Sequence, residues 1–222
     1  MKNENKILII AGPSAVGKTT VAHRILEKNT SFEYVRSVTT RPSRNDTYGA
    51  EYIYVDDEGF DRLVASGGLL EYTEYAGFRY GTPISEIDRI CKNGKAPLLI
   101  LDLKGVSSVK SREGEGIVAC AVYLYDELNT IDNRLYQRYL SPPVDDGVKK
   151  YSSRKNQNIL DYATLPEIAD KFYSFIHNKG TENQTADAIT QAFSEFSKGI
   201  KADREKNLSI AAELSSSTGT NK

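Results

Sequence analysis

The sequence predicts an α/β fold of three layers, with helices on both faces of a parallel sheet of about five strands. Three observations point to it. Residues 6–11 (Lys6-Ile7-Leu8-Ile9-Ile10-Ala11) form an apolar run of the kind that is buried as a strand. The run leads into Gly12-Pro13-Ser14-Ala15-Val16-Gly17-Lys18-Thr19, which fits the phosphate-binding pattern G-x-x-x-x-G-K-[ST]. After the loop, Val21, Ile25 and Leu26 fall on one helical face with Ala22 between them. Strand, glycine loop and helix are the context that the motif requires.

The residue types in the loop follow from the chemistry of a triphosphate, which needs many donors converging on a small space. Gly12 and Gly17 let the backbone curl so that successive N–H groups point inward. The helix beginning near Gly17 adds unpaired N–H groups and the positive end of its dipole. Lys18 adds a mobile charge for the outer phosphates. The Thr19 hydroxyl is an oxygen ligand suited to Mg²⁺. The loop therefore predicts a bound nucleoside triphosphate, without saying what is done with it.

At 222 residues the chain is long enough for one α/β domain with a sizeable core plus an insertion or tail. The net charge of −1 argues against a polyanion-binding surface, so neither nucleic acid nor a membrane surface is an expected partner. Cys91 and Cys120 are the only cysteines, and no C-x-x-C or Cys/His cluster suggests zinc or redox work. No apolar run is long enough to span a bilayer and no signal-peptide core is present, so a soluble, cytoplasmic protein is expected.

Residues 34–44 begin with strand-like alternation, which Pro42 ends, and present Arg41 and Arg44 beside several hydroxyls. Two arginines on a turn suit an oxyanion held bidentately, although alone such a turn is more often solvated surface. Residues 51–82 are rich in tyrosine, with Tyr52, Tyr54, Tyr72, Tyr75 and Tyr80, and read as a small antiparallel β subdomain containing a short helix at Phe60, Leu63 and Val64. Tyr54 and Phe60 are expected in its core. Tyr52 and Tyr80 lie near Gly49 and Gly81, where a ligand could approach, and their hydroxyls are good phosphate donors. Residues 83–93 read as a helix opened by Pro83, residues 97–103 as an apolar strand bearing Asp102, and residues 117–124 as another buried strand. Leu128, Ile131, Leu135 and Tyr139 follow at helical spacing, with Arg134 and Arg138 on one face. A last strand is expected at 172–178 and a closing helix at 182–197. Residues 198–222 have the composition of a disordered tail.

Taken together, the phosphate loop, Ser37-Val38-Thr39-Thr40-Arg41-Pro42, Gly49-x-Glu51-Tyr52, Leu70-Glu71 and Tyr80-Gly81-Thr82 resemble the guanylate kinase family. That family carries S-V-T-T-R-x-P-R, then G-x-x-Y, L-E and Y-G-[ST], in this order and at similar spacing. The resemblance extends over residues 6 to about 197. One departure is that the proline follows Arg41 directly, while Arg44 keeps the second arginine's place.

The resemblance implies a P-loop kinase fold with a GMP-binding insertion at 36–85, a core of 6–35 and 86–197, and a helical lid near 138–155. It implies the reaction of ATP with GMP, with dGMP as a further acceptor, and Mg²⁺ as cofactor. Gly12, Ser14, Ala15, Val16, Gly17, Lys18, Thr19 and Thr20 would hold ATP, with Asn178 beside the adenine and Thr19 on the metal. Arg41, Arg44, Tyr52 and Tyr80 would hold the GMP phosphate, a sensible cage for a dianion. Ser37, Glu71, Thr82 and Asp102 would read guanine, whose adjacent N1–H and exocyclic amine can both donate to one carboxylate. Lys18, Arg41, Arg134, Arg138 and Arg154 would be the catalytic cations, with Lys149 and Lys150 competing for the role of Arg154.

The family pattern L-D-[IV]-[DE]-x-Q-G is altered here. Without a gap, Asp102 takes the second acid's place, Ile100 replaces the first acid and Lys104 the glutamine; with two positions deleted, Asp102 is the first acid. Two rival functions follow: a kinase of the same fold with another nucleotide or a phosphorylated sugar as acceptor, and a protein-binding module without activity. Whether the chain is a monomer or a homodimer is left open by its sequence.

Overall fold

The computed structural model describes residues 4–43, 52–75 and 77–219. Arg44, Gly49 and Glu51 lie outside the described residues. Among the described residues, nine strands and eight α-helices follow in order: β1 (Asn5–Ala11), α1 (Lys18–Lys28), β2 (Phe32–Tyr34), β3 (Ser37–Thr39), β4 (Tyr52–Tyr54), α2 (Asp57–Ala65), β5 (Leu69–Tyr75), β6 (Phe78–Pro83), α3 (Ile84–Lys92), β7 (Ala96–Ile100), α4 (Leu103–Ser111), β8 (Ile117–Tyr125), α5 (Leu128–Tyr139), α6 (Gly147–Ile168), β9 (Ser174–His177), α7 (Glu182–Ser197) and α8 (Arg204–Ser216). Among the described residues, no helix is long and apolar enough to cross a membrane.

The central sheet has five strands in the order β2-β7-β1-β8-β9. In it the neighbours β2/β7 and β8/β9 run parallel, Phe32 opposite Ala96 and Val122 opposite Ser174. Strands of such a sheet are covered on both faces, which is why Ile7–Ala11 and Ala119–Leu124 are fully buried apolar runs without alternation. By its packing the chain divides into two compact units. One comprises the residues up to Leu8 with Leu26–Ala119; the other comprises Ile9–Ile25 with the residues from Cys120 onward.

The first unit contains a second sheet, ordered β4-β3-β6-β5. It is mixed rather than antiparallel as expected: β3 pairs with β4 in parallel and with β6 antiparallel. The twelve residues between Thr39 and Tyr52 separate these strands by far more than a hairpin turn, and so permit a parallel return. Side chains alternate across a strand. Val38 therefore lies on the face that packs with Phe60 and Leu69, supported by Val55, Leu63 and Val64. Ser37 and Thr39 lie on the other face, in register with Tyr52, Tyr54 and Tyr80. Helix α2 starts at Asp56, whose carboxylate accepts from the Gly59 amide.

Gly81 is required by packing. A side chain there would meet Leu69 Cδ1 at 2.9 Å and the Glu71 carbonyl at 3.1 Å. The expectation that this glycine leaves room for a ligand is corrected: the space belongs to β5.

An ion-pair network ties β2 and the start of β3 to α3. Arg36 binds both oxygens of Glu86 at 2.9 Å, and Arg89 bonds Glu86 at 3.0 and 3.1 Å. Glu33 bridges Arg89 at 2.7 Å and Lys95 at 3.0 Å. The network holds Arg36, and with it the backbone entering Ser37.

The second unit corrects one expectation, that of a disordered tail. Residues 140–146 form a short turn, with the Val144 amide on the Tyr139 carbonyl and the Gly147 amide on that of Val144. A side chain at Gly147 would run into the Tyr139 carbonyl oxygen. The turn joins α5 to α6, the helices on which the lid is expected. The tail is ordered as α8 through Ser216. Its Asn207, Ala211 and Leu214 are buried at helical spacing, and Asn207 Nδ2 donates to the Phe172 carbonyl at 2.9 Å. A narrow stripe of one amide and two apolar residues was hidden in a polar composition. The rings of Tyr123, Tyr162, Phe172 and Phe175 form the core beside it, with centroids 5.2–6.4 Å apart.

The network makes a stability prediction. Hydrogen bonds from Arg36 lower the Glu86 carboxyl from its ordinary 4.5 to about 2, against the opposing effect of burial. Its contribution is present above the unfolded value and is lost as pH falls toward the folded one. Glu86→Gln should cost about 1–2 kcal/mol at neutral pH, allowing for partly exposed arginines. In urea titrations its difference from wild type should shrink steadily below the ordinary carboxylate pKa; a pH-independent difference would contradict the assignment.

Candidate active site

The phosphate loop adopts the conformation that its glycines permit. Gly12 has φ +150°, Gly17 φ +106° and Ala15 φ +66°. A side chain at Gly12 would collide with the Leu124 carbonyl at the end of β8, and one at Gly17 would meet Asn178 Nδ2 at 2.7 Å. Lys18 opens α1, and its Nζ donates to the carbonyls of Gly12 and Pro13 at 2.7 and 2.8 Å. Thr19 and Thr20 are exposed on the first turn of α1.

Two asparagines hold the loop. Asn158 on α6, buried at 2% exposure, accepts from the Ser14 amide at 2.7 Å and donates to the Ser14 carbonyl at 3.1 Å. Asn178, just beyond β9, donates to the Val16 carbonyl at 2.7 Å and accepts from the Thr185 hydroxyl at 2.8 Å. The structure thus brings Asn178 to the loop itself. Asn158 and Thr185 were not foreseen from the sequence. A buried amide inside a polar helix carries no local signal, and its use depends on a partner 144 residues away.

The lid arginines differ in their settings. Arg134 on α5 is held by the buried carboxylate of Asp126 at 3.0 Å, and Asp126 also lies 3.5 Å from His177 Nε2. Arg138 is exposed on the same helix. Arg154 is half-buried on α6, one turn before Asn158 and on the same side of the helix. Lys150 donates to the Asp145 carbonyl at 2.7 Å, within the turn preceding α6.

The acceptor side is assembled in the first unit on the polar face of the small sheet. Glu71 on β5 is buried at 9% exposure, and the Thr82 hydroxyl of β6 donates to its Oε1 at 2.5 Å. Burial pushes the Glu71 carboxyl up, the bond from Thr82 opposes this, and nearby Asp102 adds to the rise. Asp102 caps α4, accepting from the Gly105 amide at 2.7 Å. A Cβ at Gly105 would lie 3.3 Å from Asp102 Oδ1 and 3.5 Å from Glu71 Oε2, so the two carboxylates flank this glycine. Asp102 thus caps a helix instead of lying within a strand as expected.

Arg41 follows β3. Its amide donates to the Thr39 hydroxyl at 3.1 Å, which in turn donates to the Arg79 carbonyl at 2.9 Å. The Arg41 guanidinium lies 5.2 Å from the Tyr52 ring centroid, and Tyr52 meets Tyr80 edge-on at 6.1 Å. Burial opposes the charge on Arg41, but Tyr54, Tyr80 and Tyr52 outweigh it and raise its pKa. Ser37 lies on the same face, opposite Tyr52. Arg41, Tyr52, Tyr80, Ser37, Glu71 and Thr82 therefore belong to one face of one sheet.

Comparisons with known proteins agree with this geometry. The guanylate kinase family profile matches residues 4–161. The guanylate kinase of Lactobacillus delbrueckii subsp. bulgaricus is 30% identical over 211 residues, 91% of this chain and all of that protein. The guanylate kinase of Bacillus subtilis is 33% identical over 140 residues, 62% of this chain and 68% of that one. The crystal structure of guanylate kinase from Anaplasma phagocytophilum shares the fold, with a TM-score of 0.62 at 23% identity, covering 88% of this chain and 87% of that one. This chain belongs to the guanylate kinase family.

As a guanylate kinase family member it carries the phosphate-loop pattern in full, and β7 ends at Ile100, two residues before Asp102. Among the described residues no group of three or more His, Cys, Asp or Glu could hold a metal ion. The exposed Thr19 hydroxyl fits a Mg²⁺ ion bound mainly by nucleotide phosphates, since that ion commonly takes few protein ligands.

The asparagine clamp can be tested directly. Asn158→Ala should expose the Ser14 amide and speed its hydrogen exchange by about tenfold, the equivalent of one hydrogen bond. Unchanged exchange would show that Asn158 does not hold the loop.

Proposed function

We propose that this protein transfers the terminal phosphoryl group of ATP to the phosphate of GMP, and also of dGMP, yielding ADP and the nucleoside diphosphate. The observation that carries the reading is the buried Glu71, oriented by Thr82, on the same sheet face as Arg41, Tyr52 and Tyr80. A carboxylate with one oxygen fixed can accept from two adjacent N–H groups, which guanine offers and adenine lacks. A site built on those bonds rejects bases that leave the carboxylate unpaired.

In this reading Ser37 and Asp102 complete the base contacts, and Arg41, Arg44, Tyr52 and Tyr80 hold the acceptor phosphate. The loop of residues 12–19, with Thr20 beside it, cradles the donor through N–H groups not already bonded, and Lys18 turns from the loop carbonyls to the outer phosphates. Asn178 anchors the loop near the adenine. Thr19 would hold Mg²⁺, which supplies charge neutralisation at the phosphates.

The acceptor phosphate is already anionic and attacks in line, so no general base is needed. Arg134, Arg138 and Arg154 neutralise the group in transit, and closure of α5 and α6 excludes water. The clamp of Asn158 on Ser14 supports Arg154, because it sets that face of α6 against the loop. Cys91 and Cys120, neither of them in a disulfide, suit the reducing cytoplasm, where ATP is abundant.

ADP release from ATP and Mg²⁺, with GMP, dGMP, AMP, UMP and CMP offered in parallel, tests the reading. Turnover should be confined to guanine nucleotides. Turnover with another acceptor would overturn the base assignment, and binding of GMP without turnover would favour a binding module. Lys18→Ala should lower kcat by about 10²–10³-fold, the usual scale for losing one fixed charge at a reacting group.

Glu71→Gln should raise the KM for GMP about a hundredfold, close to 3 kcal/mol. The same change should leave melting temperature unaltered or higher at neutral pH. The folded Glu71 has a raised pKa, so its stability contribution is greatest below the unfolded value and is lost as pH rises through the folded one. A lower melting temperature at neutral pH with unchanged KM would refute this assignment.

A further inference from the structure

Tyr54 has the periodicity of a core aromatic but not the environment of one. Its hydroxyl is buried and, among the described residues, has no hydrogen-bond partner, and the Nε of Arg41 is in the same condition. Leaving a buried polar atom unpaired costs about 1–3 kcal/mol, which phenylalanine at this position would avoid. Two such orphans lie together. The hydroxyl is close enough to favour the charge on Arg41, yet Arg41 Nε and Tyr54 Oη make no well-formed bond with each other.

The sheet explains their position. Thr39 on β3 is in register with Tyr54 on one side and Tyr80 on the other. Directly paired residues share a face. Tyr54 is therefore on the polar face with Tyr52, whose ring centroid is 6.3 Å away, and opposite the apolar cluster around Phe60. Tyr52 links it in turn to Tyr80 and to the Arg41 guanidinium. A donor O–H and a charged N–H, both lacking acceptors in the same patch, are matched by a ligand that brings only acceptors. A phosphate monoester dianion is such a ligand.

We infer that the Tyr54 hydroxyl is a third phenolic donor to the acceptor's phosphate monoester, beside Tyr52 and Tyr80. The inference rests on the reading of this face as the acceptor phosphate site.

The test compares GMP with guanosine, which has the base but not the phosphate, by calorimetric titration of wild type and Tyr54→Phe. Wild type should bind GMP much more tightly than guanosine. Tyr54→Phe should weaken GMP binding about tenfold, leave guanosine binding unchanged and keep or raise the melting temperature. Equal GMP affinity in the two proteins would overturn the role of Tyr54 while leaving the proposed function intact. A wild type that binds GMP no better than guanosine would overturn the phosphate site itself, and Tyr54 with it.

A measurement on the unaltered protein covers the case in which the variant misfolds. With ¹³Cζ-labelled tyrosine, the Tyr54 signal should shift on adding GMP but not guanosine. A Tyr54 signal that does not respond to GMP would count against the inference.

Discussion

The donor site depends on a backbone held where most residues do not go. Gly12, Ala15 and Gly17 all have positive φ, and for Ala15 this conformation costs about 1–2 kcal/mol. The compensation comes from outside, through the reciprocal bonds of Asn158 to Ser14 and the bond of Asn178 to the Val16 carbonyl. Asn158 sits on α6, the helix that also carries Arg154, so the element that fixes the loop belongs to the helical pair proposed as the lid. The same helix is packed by α8, whose Ser215 hydroxyl donates to the Ala163 carbonyl at 3.2 Å.

The acceptor face follows a different logic. Its polar groups are kept in place by strand alternation, which puts the apolar residues Val38, Phe60 and Leu69 behind the sheet and the hydroxyls and Arg41 in front. A buried carboxylate such as Glu71 is tolerated because Thr82 satisfies one oxygen. Its raised pKa is the mark of incomplete compensation. Sites that must bind a polar ligand commonly keep such a deficit, and the ligand's own donors remove it.

Much of this was legible in the chain. The phosphate loop, its flanking strand and helix, and the faces of α3 and α7 follow from local pattern. The grouping of Ser37, Arg41, Tyr52, Glu71, Tyr80 and Thr82 as one set came instead from the resemblance to the guanylate kinase family, and their assembly on one sheet face required the register. Other elements were misread for identifiable reasons. The small sheet proved mixed because strand direction depends on connection length and pairing, which apolar periodicity does not encode. Asp102 proved a helix cap, since an acid after an apolar run reads equally as strand end or helix start. The segment around Asn207 looked like a tail because a helix docked by few buried residues keeps a polar composition.

What the sequence by itself determined is the donor chemistry and the list of candidate acceptor residues. Glycines at fixed spacing, a lysine and a hydroxyl suffice to specify a phosphate loop through short-range sterics and hydrogen bonding. What only the tertiary structure decided is which side chains hold that loop and which polar atoms are left without partners. Asn158 finds Ser14 across 144 residues of chain. The Tyr54 hydroxyl is exceptional only because β3 and β4 pair in the register that buries it beside Arg41. Both facts arise from long-range packing, where a residue's role is set by its neighbours in space and not by its neighbours in sequence.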